Sequence, residues 1–138
     1  MTATTTAREA KRKDGKLISY PMAAVKVPKG ALVNINAAGY ATNATDAASE
    51  TFAGVAYETV DNSAGNAGDL SIRVETSGTF VFTDGGGNGA QTDVGVEFKV
   101  VDNQTITDAS TTNSLKAGIA VESISATQVR IRIDRYAS

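Results

Sequence analysis

The side chains that most often do chemistry near neutral pH are missing: this 138-residue chain has no His and no Cys. Their absence removes Ser–His–Asp and Cys–His catalysis, thiolate zinc sites, iron–sulfur ligation and disulfides. Carboxylates remain. Thirteen Asp/Glu lie beyond residue 16, so some pair falls at glycosidase spacing by chance alone. Only 6% of residues are aromatic, with no Trp, which leaves little to stack a sugar. Two loops have a ligand-like composition. Asp84-Gly-Gly-Gly-Asn-Gly89, with Asp93 nearby, lacks the Lys-Ser/Thr of a phosphate loop and the twelfth-position Glu of a calcium loop. It reads as a flexible hairpin loop. Asp61-Asn62 to Gly68-Asp69 reads as turns, for which Asx and Gly supply positive φ. We assign no catalytic, cofactor-binding or metal-ligating residue, and the chain reads as non-enzymatic.

Charge is the stronger signal. Residues 1–30 hold seven Lys/Arg and two Asp/Glu, a net of +5, which leaves −7 on residues 31–138. Arg8, Lys11, Arg12, Lys13 and Lys16 lie in a segment with no apolar stripe, so residues 1–16 read as an extended basic arm. No aromatic lies within residues 1–19 to stack a base. A solvated or protein-docking arm is therefore expected rather than a nucleic-acid ligand. No stretch is apolar for 18 residues, and the N-terminus lacks an apolar h-region. Neither a membrane span nor a secretory signal is expected.

From Leu17 onward the hydrophobic period is two. Leu70, Ile72 and Val74 alternate with polar residues, as do Val94, Val96, Phe98 and Val100, and again Val129, Ile131 and Ile133. Such segments make half-buried strands. Further strands are expected at Ala23–Val27, Ala31–Ile35, Phe52–Tyr57, Thr79–Thr83 and Ala117–Val121, and loop rather than helix over Thr42–Glu50. The fold class is all-β: a compact sandwich or barrel of short antiparallel strands, with residues 17–138 as one domain behind the arm. Phe52-Ala-Gly-Val-Ala-Tyr-Glu58 is echoed by Lys116-Ala-Gly-Ile-Ala-Val-Glu122, each followed by an Arg-bearing strand. Two similar hairpins on opposite sides of one barrel would account for the echo, as would a commonplace strand–turn–strand pattern arising twice.

Five elements, in order, carry a resemblance: Pro28-Lys-Gly-Ala-Leu-Val33 with Ala37-Ala-Gly-Tyr-Ala41; the long block Gly54-Val-Ala-Tyr-Glu-Thr-Val-Asp-Asn-Ser-Ala-Gly-Asn-Ala-Gly-Asp69; Val74–Phe82; Val100-Val-Asp-Asn-Gln-Thr-Ile106; and Ala117-Gly-Ile119 with Val129–Ile133. Residues 17–134 thereby resemble the capsid decoration (cement) proteins of tailed bacteriophages. The resemblance implies a β module without catalysis or cofactor, on the outer surface of the virion capsid. It further implies a homotrimer bound to the major capsid protein at three-fold and quasi-three-fold positions, with Gly54, Gly65 and Gly68 as structural turn residues. The expected capsid-facing residues are the five arm cations with Leu17, Ile18 and Tyr20, where residues 17–27 would add an edge strand to a partner sheet. The alternative is a β-rich tail or host-surface adhesin recognising a glycan through Tyr40, Tyr57, Tyr136 or the Asp84–Gly89 loop.

Overall fold

The computed structural model describes residues 2–8, 10, 15–86 and 89–133. Its strands are β1 Leu17–Pro21, β2 Lys26–Val27, β3 Leu32–Ile35, β4 Ala41–Asn43, β5 Thr51–Ala56, β6 Val60–Asp61, β7 Ser71–Glu75, β8 Thr79–Asp84, β9 Glu97–Val100, β10 Thr105–Thr107, β11 Lys116–Ser125 and β12 Gln128–Arg132. The only helical element among the described residues is the 3-10 turn Gln91–Asp93. The fold is all-β, as the alternation requires.

The echo in the sequence marks a structural duplication. The first half is a sheet in the order β1-β7-β5-β3-β4, and the second is a closed barrel in the order β8-β12-β11-β9-β10. Taken in chain order within each half, both follow the order first-fifth-fourth-second-third. The second half closes fully, and the first makes one bridge at the matching place. In the second half β10 runs parallel to β8, and the Gly85 N–H donates to the Ile106 carbonyl at 2.6 Å. In the first half Met22, just past β1, bridges Ala41 in parallel, and the Ala23 N–H donates to the Ala41 carbonyl at 2.8 Å. The registers superpose residue by residue: Gly54 opposes Val33 as Gly118 opposes Phe98, and Val55 opposes Glu75 as Ile119 opposes Arg132. The two similar hairpins therefore occupy matching places in two five-stranded halves, not opposite sides of one barrel.

The glycines of the echo explain why the short sequence recurs. A Cβ on Gly54 would lie 2.1 Å from the Glu75 carbonyl oxygen, and one on Gly118 would lie 2.1 Å from the Arg132 carbonyl oxygen. Only glycine lets the fourth strand of each half press this closely on the fifth. A register shift beside each glycine, toward β3 and β9 respectively, bends the strand and so curls the sheet.

Each half has its own apolar interior. Met22, Val33, Ala41, Ala53, Ala56, Ile72 and Val74 fill the first. Phe98, Val100, Ile106, Ala117, Ala120, Val129 and Ile131 fill the second. The halves are joined because β3 and β5 are buried on both faces: Leu32, Phe52 and Val55 point away from the first interior and merge with the second. Such strands read as near-continuous apolar runs, as Thr51–Ala56 does. Polar clasps close the seam. The Leu32 N–H donates to the Asn103 carbonyl at 2.8 Å, and Asp46 accepts from the Thr112 and Asn113 N–H groups at 3.0 and 3.1 Å.

Some expectations change. The alternation over Val94–Val100 becomes strand only from Glu97, because Gly95 takes φ +92° and turns the chain. Val94 and Val96 consequently stay outside, 40% and 38% exposed. Ala23–Val27 pairs only at Lys26–Val27, since the preceding residues are spent on closing the first half. The loop expected over Thr42–Glu50 begins only after Asn43, because Thr42 and Asn43 pair with Asn34 and Val33 in β4; no helix forms over residues 44–50.

Candidate partner interface

Among the described residues, the root of the basic arm is hydrogen-bonded to Thr76. The Thr76 N–H donates to the Lys16 carbonyl at 3.0 Å, and the Thr76 hydroxyl donates to the Gly15 carbonyl. These bonds extend the β1–β7 ladder, in which Leu17 faces Glu75, and fix the direction in which the arm leaves. Its described residues 2–8 are exposed, with side-chain bonds only between Thr4 and Thr6. Arg8 is exposed and forms no ion pair among the described residues. Lys11, Arg12 and Lys13 lie outside the described residues.

The ladder also decides what β1 can offer a partner. Lys16 bonds to Thr76 and Met22 to Leu70, so by alternation the even-numbered residues of β1 bond to β7 and the odd-numbered ones face outward. The outward backbone groups are therefore those of Leu17 and Ser19, then Pro21, which has no N–H. Among the described residues nothing pairs with the outer edge of Leu17–Pro21, a short edge ended by Pro21. The residues expected to face a partner divide accordingly. Tyr20 packs against the interior of the first half, while Leu17 and Ile18 are half-buried. Segment 17–21 is an edge strand of its own sheet rather than a loose donor.

Beside the arm root, the two halves leave a groove of about 370 Å³. Lys29, Tyr57, Glu75 and Phe80 are among its lining residues, and Glu75 is the residue opposite Leu17. Tyr57 is 43% exposed. Arg73 holds its ring, with the guanidinium carbon 5.0 Å from the ring centroid. Arg73 is in turn gripped by Glu58, Nε to Oε2 at 3.0 Å and Nη2 to Oε1 at 3.1 Å. This two-pronged bond holds the Glu58 carboxyl below its usual range and raises Arg73. The interface thus gathers the arm root, the short edge of β1 and a preset aromatic, all on the first half.

The other sequence candidates are structural. Gly54 lies inside β5 rather than at a turn. Gly68 has φ +90° and donates to the Met22 carbonyl at 2.9 Å; Gly65 donates to the Asn62 carbonyl at 3.2 Å. In the Asp61–Asp69 loop, buried Asn62 donates through Nδ2 to the carbonyls of Ala23 and Asn66 at 3.1 and 3.0 Å. Asp69 caps the Asn66 N–H at 2.9 Å, and bonds from Ser63 hold Asp61 below its usual range. These polar groups are occupied in holding turns. The Asp84–Gly89 run leads from β8 to the 3-10 turn and joins no hairpin, since β8 pairs with β10 and β12. Among the described residues, no group of three or more acidic side chains is arranged to hold a metal, and no helix is long and apolar enough to cross a membrane. No protein-family model, curated protein or solved structure matches the chain.

The groove and the Tyr57–Arg73–Glu58 stack are not visible in the sequence alone. Their one trace there is the glutamate that ends both copies of the echo. Glu122, the second copy's counterpart of Glu58, pairs with Arg130 at 2.9 Å.

Proposed function

We propose that this protein is a non-enzymatic capsid decoration protein, bound as a homotrimer to the major capsid protein on the outer surface of a phage head. The ordered resemblance over residues 17–134, centred on the block Gly54–Asp69, carries the reading. The geometry is compatible with it: Arg8 and Lys16, the described cations of the arm, are exposed, and the arm is rooted by Thr76 beside the edge strand β1. A single arm contact on an acidic lattice is weak and partly screened by salt. Three arms on one trimer act at effective concentrations on the order of mM and multiply avidity by roughly 10²–10⁴. A module bridging capsid subunits then resists expansion under internal DNA pressure without chemistry.

The test is to pellet purified protein with undecorated, expanded heads. The full chain is expected to sediment as a trimer and saturate the heads at a symmetry-related stoichiometry. A chain lacking residues 2–16 should remain trimeric but lose occupancy. Unchanged occupancy of the truncated chain would overturn the role of the arm, and a monomer that stays in the supernatant would overturn the whole reading.

The groove bearing Tyr57 and Phe80, rimmed by Lys29 and Glu75, favours a second reading, a glycan-binding adhesin. Specific, saturable binding on a glycan array, abolished by Tyr57→Ala, would select it.

A further inference from the structure

One turn is built twice. Before β3 the Ala31 N–H donates to the Pro28 carbonyl at 3.1 Å, the Gly30 N–H to the Ala56 carbonyl at 2.9 Å, and the Ala56 N–H to the Ala31 carbonyl at 2.9 Å. Before β9 the Val96 N–H donates to the Asp93 carbonyl at 2.9 Å, the Gly95 N–H to the Ala120 carbonyl at 2.8 Å, and the Ala120 N–H to the Val96 carbonyl at 3.0 Å. The central glycines take φ +84° and +92°. Beyond its chain neighbours, a Cβ on either would meet nothing within 4 Å among the described residues, so both turns stand open. The first reads Lys29-Gly30-Ala31 and the second Val94-Gly95-Val96; the residue after the bonded alanine is Tyr57 in one half and Val121 in the other. The fold therefore does not require valine at position 94, because lysine makes the same turn in the first half. Val94, Val96 and Val121 are nonetheless 40%, 38% and 40% exposed. Single exposed valines need no explanation, but three of them on one clamped turn and the strand bonded to it point to a partner.

We propose that this turn is one side of the contact between copies of the chain, and that it docks in the Tyr57–Phe80 groove of the next copy; the inference rests on the homotrimer proposed above. A ring of three identical chains uses heterologous contacts, so each chain must present two unlike faces that fit each other. The turn projects from the second half. The groove, about 370 Å³, lies where the first half meets β8 and is lined by Val55, Tyr57 and Phe80 among others. Arg73 and Glu58 hold Tyr57 in place before a partner arrives, and the bonds to Ala120 hold the turn. Neither face loses much freedom on docking.

The charges of the two faces are complementary. Lys29 and Glu75, one cation and one anion, are among the groove's lining residues. The strand that leaves the turn begins with Glu97, which pairs with Lys116 at 3.3 Å. Docking sets Lys29 against Glu97 and Glu75 against Lys116 of the next copy, which fixes the register of the contact more than its strength. Glu97 and Lys116 stand where the first half has its seam residues Leu32 and Phe52. The contact is therefore confined to the edge of that face and adds no second seam.

Light scattering on the full chain tests this with a variant that writes the first half's turn into the second. Val94→Lys with Val96→Ala keeps a turn the fold already makes, so its thermal midpoint should match that of the unaltered protein while its mass falls from three chains to one at the same concentration. A second variant reads the contact directly. The chain has no Cys, so Tyr57→Cys combined with Val96→Cys should give a covalent trimer on mild oxidation that a reductant dissolves, and neither single substitution should. A monomeric unaltered protein would overturn the trimer reading and this contact with it. An unaltered trimer that persists in Val94→Lys/Val96→Ala would overturn the contact alone. A monomeric turn variant without the Tyr57–Val96 cross-link would remove the groove as its seat, and dimers cross-linked through Val96→Cys alone would set turn against turn and overturn it likewise.

Discussion

The two halves share a path of chain and a register but differ at matched positions, and the differences show what each half is for. Where the first half turns Leu32, Phe52 and Val55 outward to meet its neighbour, the second carries Glu97, Lys116 and Ile119 at the same places. Glu97 and Lys116 form an ion pair at 3.3 Å. Repeated outward-facing apolar patches would invite head-to-tail growth, so the charged pair ends the series. Where Met22 plugs the first interior, buried Asp84 stands in the second and ties down the following loop. The first half also grips an exposed tyrosine through Glu58 and Arg73; the second keeps the pair Glu122–Arg130 beside Val121. The framework was kept, and the surfaces diverged.

The strongest way to break the equivalence is to attack the shared glycines. Gly54→Ala and Gly118→Ala each place a methyl group 2.1 Å from a carbonyl oxygen of the neighbouring strand. Forced backbone shifts of this kind cost about 3 kcal/mol, and more at Gly54, where φ is +153°. Chemical denaturation should show both variants severely destabilised; a tolerated Gly118→Ala would show that the halves are not equivalent where it matters most.

Phe52→Ala and Lys116→Ala sharpen the contrast at one matched position. Phe52, 5% exposed, belongs to the joint core, and its loss should cost about 3–5 kcal/mol. Lys116 has a side chain 57% exposed in a surface pair, so its loss should stay within about 0.5 kcal/mol. Comparable losses in the two variants would refute the assignment of one face as seam and the other as cap.

The smallest effect concerns acid. Glu58 is held below its ordinary value of 4.5 by Arg73, so the stability it adds is present above 4.5 and fades as pH falls through the lowered value. Glu58→Gln should therefore soften the drop in thermal midpoint on the acid side. An unchanged acid limb would mean that the grip on Tyr57 has no bearing on folding.

Much of this framework was legible in the residues. Ile72 and Val74, or Val129 and Ile131, alternate with polar neighbours because one side of their strands meets an interior, and period two reports that directly. The matched Ala-Gly-Val-Ala and Ala-Gly-Ile-Ala runs exposed the duplication because close strand packing admits few side chains. Its extent stayed hidden, since Met22 and Asp84, or Phe52 and Lys116, occupy matched positions with no chemistry in common. Val94 and Val96 misled because alternation continues through a turn that one glycine makes. The candidate interface was beyond reach for another reason. Its arm root is placed by pairing of the first strand of a half with its last, as Leu17 meets Glu75, and local pattern carries no information about such partners.

The two-faced burial of β3 and β5 has a consequence during synthesis. The first half can complete its ladder once Glu75 is available, because β7 supplies the partner of β1. Its outward residues Leu32, Phe52 and Val55 have no cover until the strands from β8 to β12 follow. At roughly 5–20 residues per second that wait lasts several seconds, during which a nascent chain presents a sticky sheet face to neighbours on the same message. Crowded translation is therefore the condition under which this fold is most exposed to misassembly, and slowing initiation should raise its soluble yield more than any change to the finished surface.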